Sequence, residues 1–293
     1  MEVVLGLVVA VSLGVSDVIG GAAGRRLGPL RTTTGVHVTG AVLIGIYLLA
    51  TMQSLGGARE MLLSAAGGAI LAFSALCFYA GLSWGRVSVM SPVSFVTIAG
   101  LTFAVGLLRG ERPSGLAVAG AILIIPAVVL VSRPARTPRP VDRRDSERRL
   151  GLAGELALST CAGGGFVVFQ ILLLEIGVED GPAPLLIVRS VGGFLGLVAL
   201  AALRRRSDAP EAQRPPQGAV LMVIAAGTLL ILSHSLLVEA LNRGFLSVVG
   251  PITSLTPAFT VLGARLFLRE HVSRTQAAGM AVIIAGLVLL ALG

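Results

Sequence analysis

Ten apolar stretches, each about as long as a helix needs to cross a bilayer's hydrocarbon core, follow one another along 293 residues with little polar chain between them. They cover 3–23, 34–52, 61–82, 87–108, 114–132, 152–175, 184–203, 218–240, 245–267 and 273–292. The runs are continuous and do not alternate apolar with polar, so they predict spanning helices, not the strands of a barrel. Charged residues are 13% of the chain, whereas a water-facing globular domain carries about 25%. A soluble enzyme, a disordered tail and a fibre therefore fit poorly. The expected fold class is an all-α integral membrane protein. The first run has no basic leader, contains Asp17 and is followed at once by further spans, so it reads as a span and not as a cleaved signal peptide. Glycine reaches 38 residues, well above the ~7% norm, and small residues let membrane helices approach closely. Cys77 and Cys161 sit in apolar runs and read as packing residues, with no metal or disulfide spacing.

The long polar stretch 133–150, RPARTPRPVDRRDSERRL, reads as a water-exposed linker. It divides the chain into five spans before (1–132) and five after (151–293). The halves resemble each other. Residues 80–131 shifted by 159 overlay 239–290 without a gap: Gly85 on Gly244, Ser88-Val89 on Ser247-Val248, Pro92 on Pro251, Thr97 on Thr256 and Glu111 on Glu270. A second shift of 153 puts Gly28-Pro29 on Gly181-Pro182 and Asp17 on Gln170. A repeat with an odd number of spans must be inverted in the membrane, the layout of many secondary transporters.

Arginine supplies all 23 basic residues and the net charge is +8. Its distribution is uneven. Arg25, Arg26, Arg31, Arg86, the run from Arg133 to Arg149, Arg204, Arg205, Arg206, Arg214, Arg269 and Arg274 fall in loops on one side. The other side holds Arg59, Arg109, Arg112 and Arg243, with Glu179 and Asp180. The positive-inside rule places the first set in the cytoplasm and both termini outside a cytoplasmic (inner) membrane. The charge calls for no nucleic acid partner.

Residues 244–270, GFLSVVGPITSLTPAFTVLGARLFLRE, and 85–111, GRVSVMSPVSFVTIAGLTFAVGLLRGE, resemble the repeat of the EamA family of the drug/metabolite transporter superfamily. The likeness covers essentially the whole chain through two five-helix copies. In the first copy Ile98 replaces the second proline, Pro257, and Ser16 stands where the family's first helix usually has an aromatic. The resemblance implies ten helices around a central substrate cavity near the bilayer midplane. It also implies termini in the cytoplasm, against the arginine count.

Ionisable groups inside spans are costly and mark candidate sites. Asp17 in the first span, flanked one turn away by Leu13, Gly14, Gly20 and Gly21, is the candidate for coupling to a proton. Its counterpart Gln170, with His37, His234 and Arg189, the last a candidate partner for a substrate carboxylate, completes the candidate substrate-binding or coupling set. The alternatives are helix–helix hydrogen bonds and, for Arg189, snorkelling to the interface. Ser88, Ser91, Pro92 and Phe95 in the fourth span, and Ser247, Pro251, Ser254 and Pro257 in the ninth, are candidate cavity walls and flexing points, since proline frees backbone carbonyls. Tyr79 and Trp84 are candidate gate or interface anchors. Glu111 and Glu270 read as turn residues.

These features favour a secondary transporter of small organic solutes, working as a monomer or homodimer in lipid, with a proton as coupling ion. No GxxxxGK[ST] motif is present, so ATP does not drive it within this chain, and no cofactor or metal is expected. A sugar-phosphate or lipid-linked carrier would want several cavity arginines. A membrane enzyme lacks a catalytic constellation. A non-transporting scaffold would not need its buried polar groups to converge.

Overall fold

A computed structural model describes residues 2–52, 56–108, 114–132, 150–176, 183–206, 216–243, 256–267 and 273–292. Those residues form helices and short turns. The helices are α1 (Glu2–Leu27), α2 (Pro29–Thr51), α3 (Ala58–Trp84), α4 (Val87–Leu108), α5 (Gly115–Ser132), α6 (Leu152–Ile176), α7 (Ala183–Arg206), α8 (Gln217–Arg243), α9 (Thr256–Phe267) and α10 (Arg274–Leu292). Six of them, α1, α2, α3, α6, α7 and α8, are long and apolar enough to cross a membrane. Large apolar side chains such as Leu49, Phe73, Phe194 and Leu221 point outward. In water that would be a liability; in lipid it is the natural surface. The chain is a multi-pass helical membrane protein.

The start of α2 differs from expectation. The expected span starts at 34, with Arg31-Thr32-Thr33 before it, yet the helix begins at Pro29. Proline suits the first helical position, where no backbone donor is needed. Thr32 and Thr34 donate their hydroxyls back to the Gly28 and Leu30 carbonyls at 3.1 and 2.7 Å, so their polarity is satisfied inside the helix. A single residue, Gly28 at φ 85°, separates α1 from α2. That left-handed backbone favours glycine. At the other end of α3, Gly85 caps the helix through an N–H bond to the Gly81 carbonyl at 2.7 Å.

The principal contacts run between the halves. α1 packs on α8 and on α9, α3 on α6 and on α7, α2 on α7 and on α8, α4 on α6 and on α9, and α5 along α10. α3 and α8 are both 27 residues long, and the 159 shift carries the ends of one onto the ends of the other. Close approach rests on small residues: a methyl group at Gly68 would sit 2.5 Å from the Val188 carbonyl oxygen, and one at Gly14 would sit 2.6 Å from Phe259 Cβ. Side-chain hydrogen bonds also cross the seam, from Ser16 to the Ala226 carbonyl at 2.9 Å and from Ser74 to the Ala162 carbonyl at 2.5 Å. One apolar core joins Phe78, Tyr79, Leu82 and Met90 to Val223 and Ala226; a second joins Leu71, Phe169, Leu185, Val188 and Ile231.

Two ion pairs close the α3–α6 seam at its opposite ends. Arg86, in the turn after α3, grips buried Glu155 in the first turn of α6 with its guanidinium, and its backbone N–H adds a bond at 2.8 Å. Nearby, the Leu150 N–H donates to the Trp84 carbonyl at 3.0 Å. At the far end Arg59 and Glu175 lie 3.8 Å apart, both well exposed.

Candidate functional site

Two polar centres lie inside the bundle. The first is built on α1. Asp17 is 7% exposed. Gly14 and Gly20, one turn to either side, let α9 and Tyr79 come close to this stretch of helix. From α9, Thr260 Oγ1 approaches Asp17 Oδ2 at 3.1 Å and the Thr256 carbonyl at the same distance. One hydroxyl proton serves one acceptor at a time, so the carboxylate and its neighbour compete for it. Ser16, the neighbouring residue on α1, donates to the Ala226 carbonyl on α8.

The second centre joins α2, α7 and α8. His37 is 0% and Arg189 1% exposed. Arg189 Nη2 donates to His234 Nδ1 at 2.6 Å. Because arginine only donates, Nδ1 carries the lone pair, and a neutral His234 holds its proton on Nε2. The His234 ring leans on Phe169, with centroids 6.0 Å apart and a 60° tilt. Arg189 and His234 are the electrostatic neighbours of His37. Among the described residues, neither ring nitrogen of His37 nor Arg189 Nε has a hydrogen-bond partner. The packing is reciprocal. The Arg189 chain lies over Gly40, one turn beyond His37, where a methyl group would sit 3.1 Å from its Cδ. The His37 ring lies over Gly192, one turn beyond Arg189, where a methyl group would run into Nδ1.

Tyr79 on α3 packs against α1 at Gly20. It is buried, and its hydroxyl interacts electrostatically with both Asp17 and Arg189. Its ring makes an edge contact with Phe78 at 6.1 Å. Trp84, by contrast, is substantially exposed at the end of α3.

His37, Arg189 and His234 thus cluster, while Asp17 lies in a separate centre that shares with Arg189 the electrostatic neighbour Tyr79. Arg189 does not snorkel: it is buried and held by His234. Ser91 and Pro92 are buried, with Ser91 Oγ unpartnered, and Phe95 is half-buried on α4. The side chains of Ser88, Gln170 and Pro257, and all of Ser247, Pro251 and Ser254, lie outside the described residues. Glu111 and Glu270 lie outside them as well. Cys77 is buried and Cys161 exposed, both free. Among the described residues no group of three His, Cys, Asp or Glu side chains could hold a metal ion.

Several residues escaped sequence reasoning. Glu155 reads as an ordinary first-turn acid at a helix N-terminus, and nothing local marks Arg86 as its partner 69 positions away. Ser16 stands out in the sequence only for the aromatic it replaces, yet it donates to the Ala226 carbonyl on α8. Ser64 and Ser94, buried and unpartnered, carry no signal beyond being hydroxyls in a span.

Comparison with known proteins agrees with this architecture. A region of 69 residues is 38% identical to an uncharacterized protein of Methanocaldococcus jannaschii; it covers 24% of this chain and spans half the length of that relative. A solved crystal structure of a protein with 16% sequence identity has the same fold, with a TM-score of 0.63 over 98% of this chain and 95% of that one. The EamA-like transporter family matches in two segments, residues 1–133 and 149–292, which leave out most of the Arg- and Pro-rich stretch between them. With nearly its whole length accounted for in this way, the chain belongs to the EamA-like transporter family.

Proposed function

We propose that this protein is a secondary active transporter. It moves small organic metabolites, namely amino acids, related solutes or drugs, across the cytoplasmic membrane by alternating access, as an exporter coupled to protons. One observation carries the reading. An acid on α1 and an arginine on α7, one from each half of the chain, are buried in spans, and both lie within electrostatic range of Tyr79. Ionisable groups at such depth are expensive, and transport pathways are where membrane proteins keep them.

In this reading ten spans form two inverted five-helix repeats, 1–132 and 151–293, joined by the 133–150 linker. The contacts support it. Adding or subtracting five in the helix numbers turns α1–α8 into α6–α3, α1–α9 into α6–α4 and α2–α8 into α7–α3; it maps α2–α7, α4–α9 and α5–α10 onto themselves. Residues follow the same exchange. Ser16 bonds the Ala226 carbonyl, and the positions related to these two by the shifts of 153 and 159, Phe169 and Gly67, also touch. The arginine-rich end is the cytoplasmic one. Arg25 donates to the Leu82 carbonyl, Arg26 lies by Gly218 and Arg86 holds Glu155, so basic groups from several turns gather there. A sugar-phosphate carrier is disfavoured, since Arg189 is the one buried arginine among the described residues.

The test is uptake into proteoliposomes over a panel of amino acids and cationic drugs, with and without a pH gradient. Gradient-dependent accumulation of at least one solute is expected; no uptake of any would overturn the reading. A C-terminal tag reachable only from outside intact cells checks the orientation.

A further inference from the structure

His37, Arg189 and His234 bring three basic side chains together from three spans, and no described carboxylate lies within ion-pair distance of them. Arginine stays charged in proteins. A buried charge costs several kcal/mol unless it is paired. His234 takes one of its donors as a neutral acceptor, which orients the guanidinium but does not balance it. Arg189 Nε and both nitrogens of His37 remain unpartnered at 1% and 0% exposure.

We propose that this centre binds the carboxylate of an organic substrate, with Arg189 and His37 as its hydrogen-bonding partners and the aromatic and aliphatic wall beside His234 holding an apolar body. The proposal rests on the transporter reading and names the class of solute for that site. Three observations select the ligand. A guanidinium presents donors in a planar fork that matches a carboxylate better than a spherical ion. His37 adds a neutral donor or acceptor on a neighbouring helix. The His234 ring leans on Phe169, which belongs to a core with Leu71, Leu185, Val188 and Ile231, so the surroundings favour a hydrocarbon group over a sugar or a hydrated phosphate. The reciprocal glycines matter as well. With Gly40 and Gly192 beneath the two side chains, α2 and α7 bring Arg189 and His37 within reach of one small anion.

The full chain, purified in detergent, is tested by thermal melting and calorimetry with 4-methylpentanoate, its neutral isostere 4-methylpentanamide, sodium chloride and inorganic phosphate at matched ionic strength. The carboxylate is expected to raise the melting temperature and to bind; the amide, chloride and phosphate are expected to do neither. Arg189→Gln should weaken carboxylate binding by about 30-fold, as loss of one partner of a buried charge pair does. Arg189→Lys, which keeps the charge and protects the fold, should fall between the two. Equal binding of carboxylate and amide, binding of chloride or phosphate as strong as that of the carboxylate, or an unchanged affinity in a folded Arg189→Gln protein would each overturn the proposal. The wild-type comparison decides even if a variant does not fold. These readings need no transport, so carboxylate binding without any uptake in proteoliposomes would fail the transporter reading and leave this one standing. Gradient-driven uptake with indifferent binding of acid and amide would do the reverse.

Discussion

The two buried centres solve the same problem in opposite ways. Asp17 is an acid buried in a span whose bonded neighbour, Thr260, is neutral and divides one proton between two acceptors. Arg189 is a cation whose bonded neighbour, His234, is a neutral acceptor, while donors and acceptors around it stay unused. The acid is packed into a notch of glycines on its own helix; the cation lies across a glycine of the opposing helix. The first arrangement suits a group that gains and loses something as small as a proton. The second suits one that waits for a larger partner of opposite charge.

The largest expected effect would break that contrast outright. Asp17→Asn keeps the shape and the hydrogen bond to Thr260 but removes the charge, so gradient-driven uptake should be lost altogether while the melting temperature holds. Unchanged coupling in proteoliposomes would take Asp17 out of the mechanism. Next comes the cross-helix cradle. Gly192→Ala drives a methyl group into the His37 ring and should cost about 1–3 kcal/mol of stability. Gly45→Ala, whose new methyl group would meet its nearest neighbour at 3.7 Å, is the matched control and should cost far less on denaturation in detergent. Thr260→Val withdraws the donor beside Asp17 and should cost about 1–2 kcal/mol. Thr228→Val, an exposed hydroxyl bonded to its own helix at Ile224, should melt like wild type. The smallest effect falls on Phe169→Leu, which keeps the apolar bulk but loses the ring leaning on His234. About 0.5–1.5 kcal/mol is expected there, measured by the same melting assay.

What could be read in advance follows from what is local. Spans announce themselves because lipid tolerates only long apolar runs, and Asp17, His37, Arg189 and His234 stand out because ionisable groups in such runs are rare. The repeat is visible because prolines, glycines and a glutamate recur at one shift. α2 begins five residues before the expected 34 because polar Arg31, Thr32 and Thr33 hide its first turn, where Thr32 returns its hydroxyl to the Gly28 carbonyl. The meeting of His37, Arg189 and His234 was not legible, since residues on three helices bear no spacing relation to one another. Glu155 was missed for the same reason: its partner Arg86 comes from a turn in the other half. Of the expected cavity walls, Ser91, Pro92 and Phe95 are placed on α4, while Ser247, Pro251 and Ser254 fall outside the described residues.

Gly28 has a mechanical consequence. A joint of one residue leaves no slack, so α1 and α2 act as the two arms of a single bracket. One arm carries the acid and the other carries His37. If α1 tilts when Asp17 trades its bond with Thr260 for a proton, α2 is levered with it, and the ring of His37 is lifted from its seat on Gly192. The acid and the cationic centre would then be geared together through the covalent chain itself, with the backbone at Gly28 as the pivot pin.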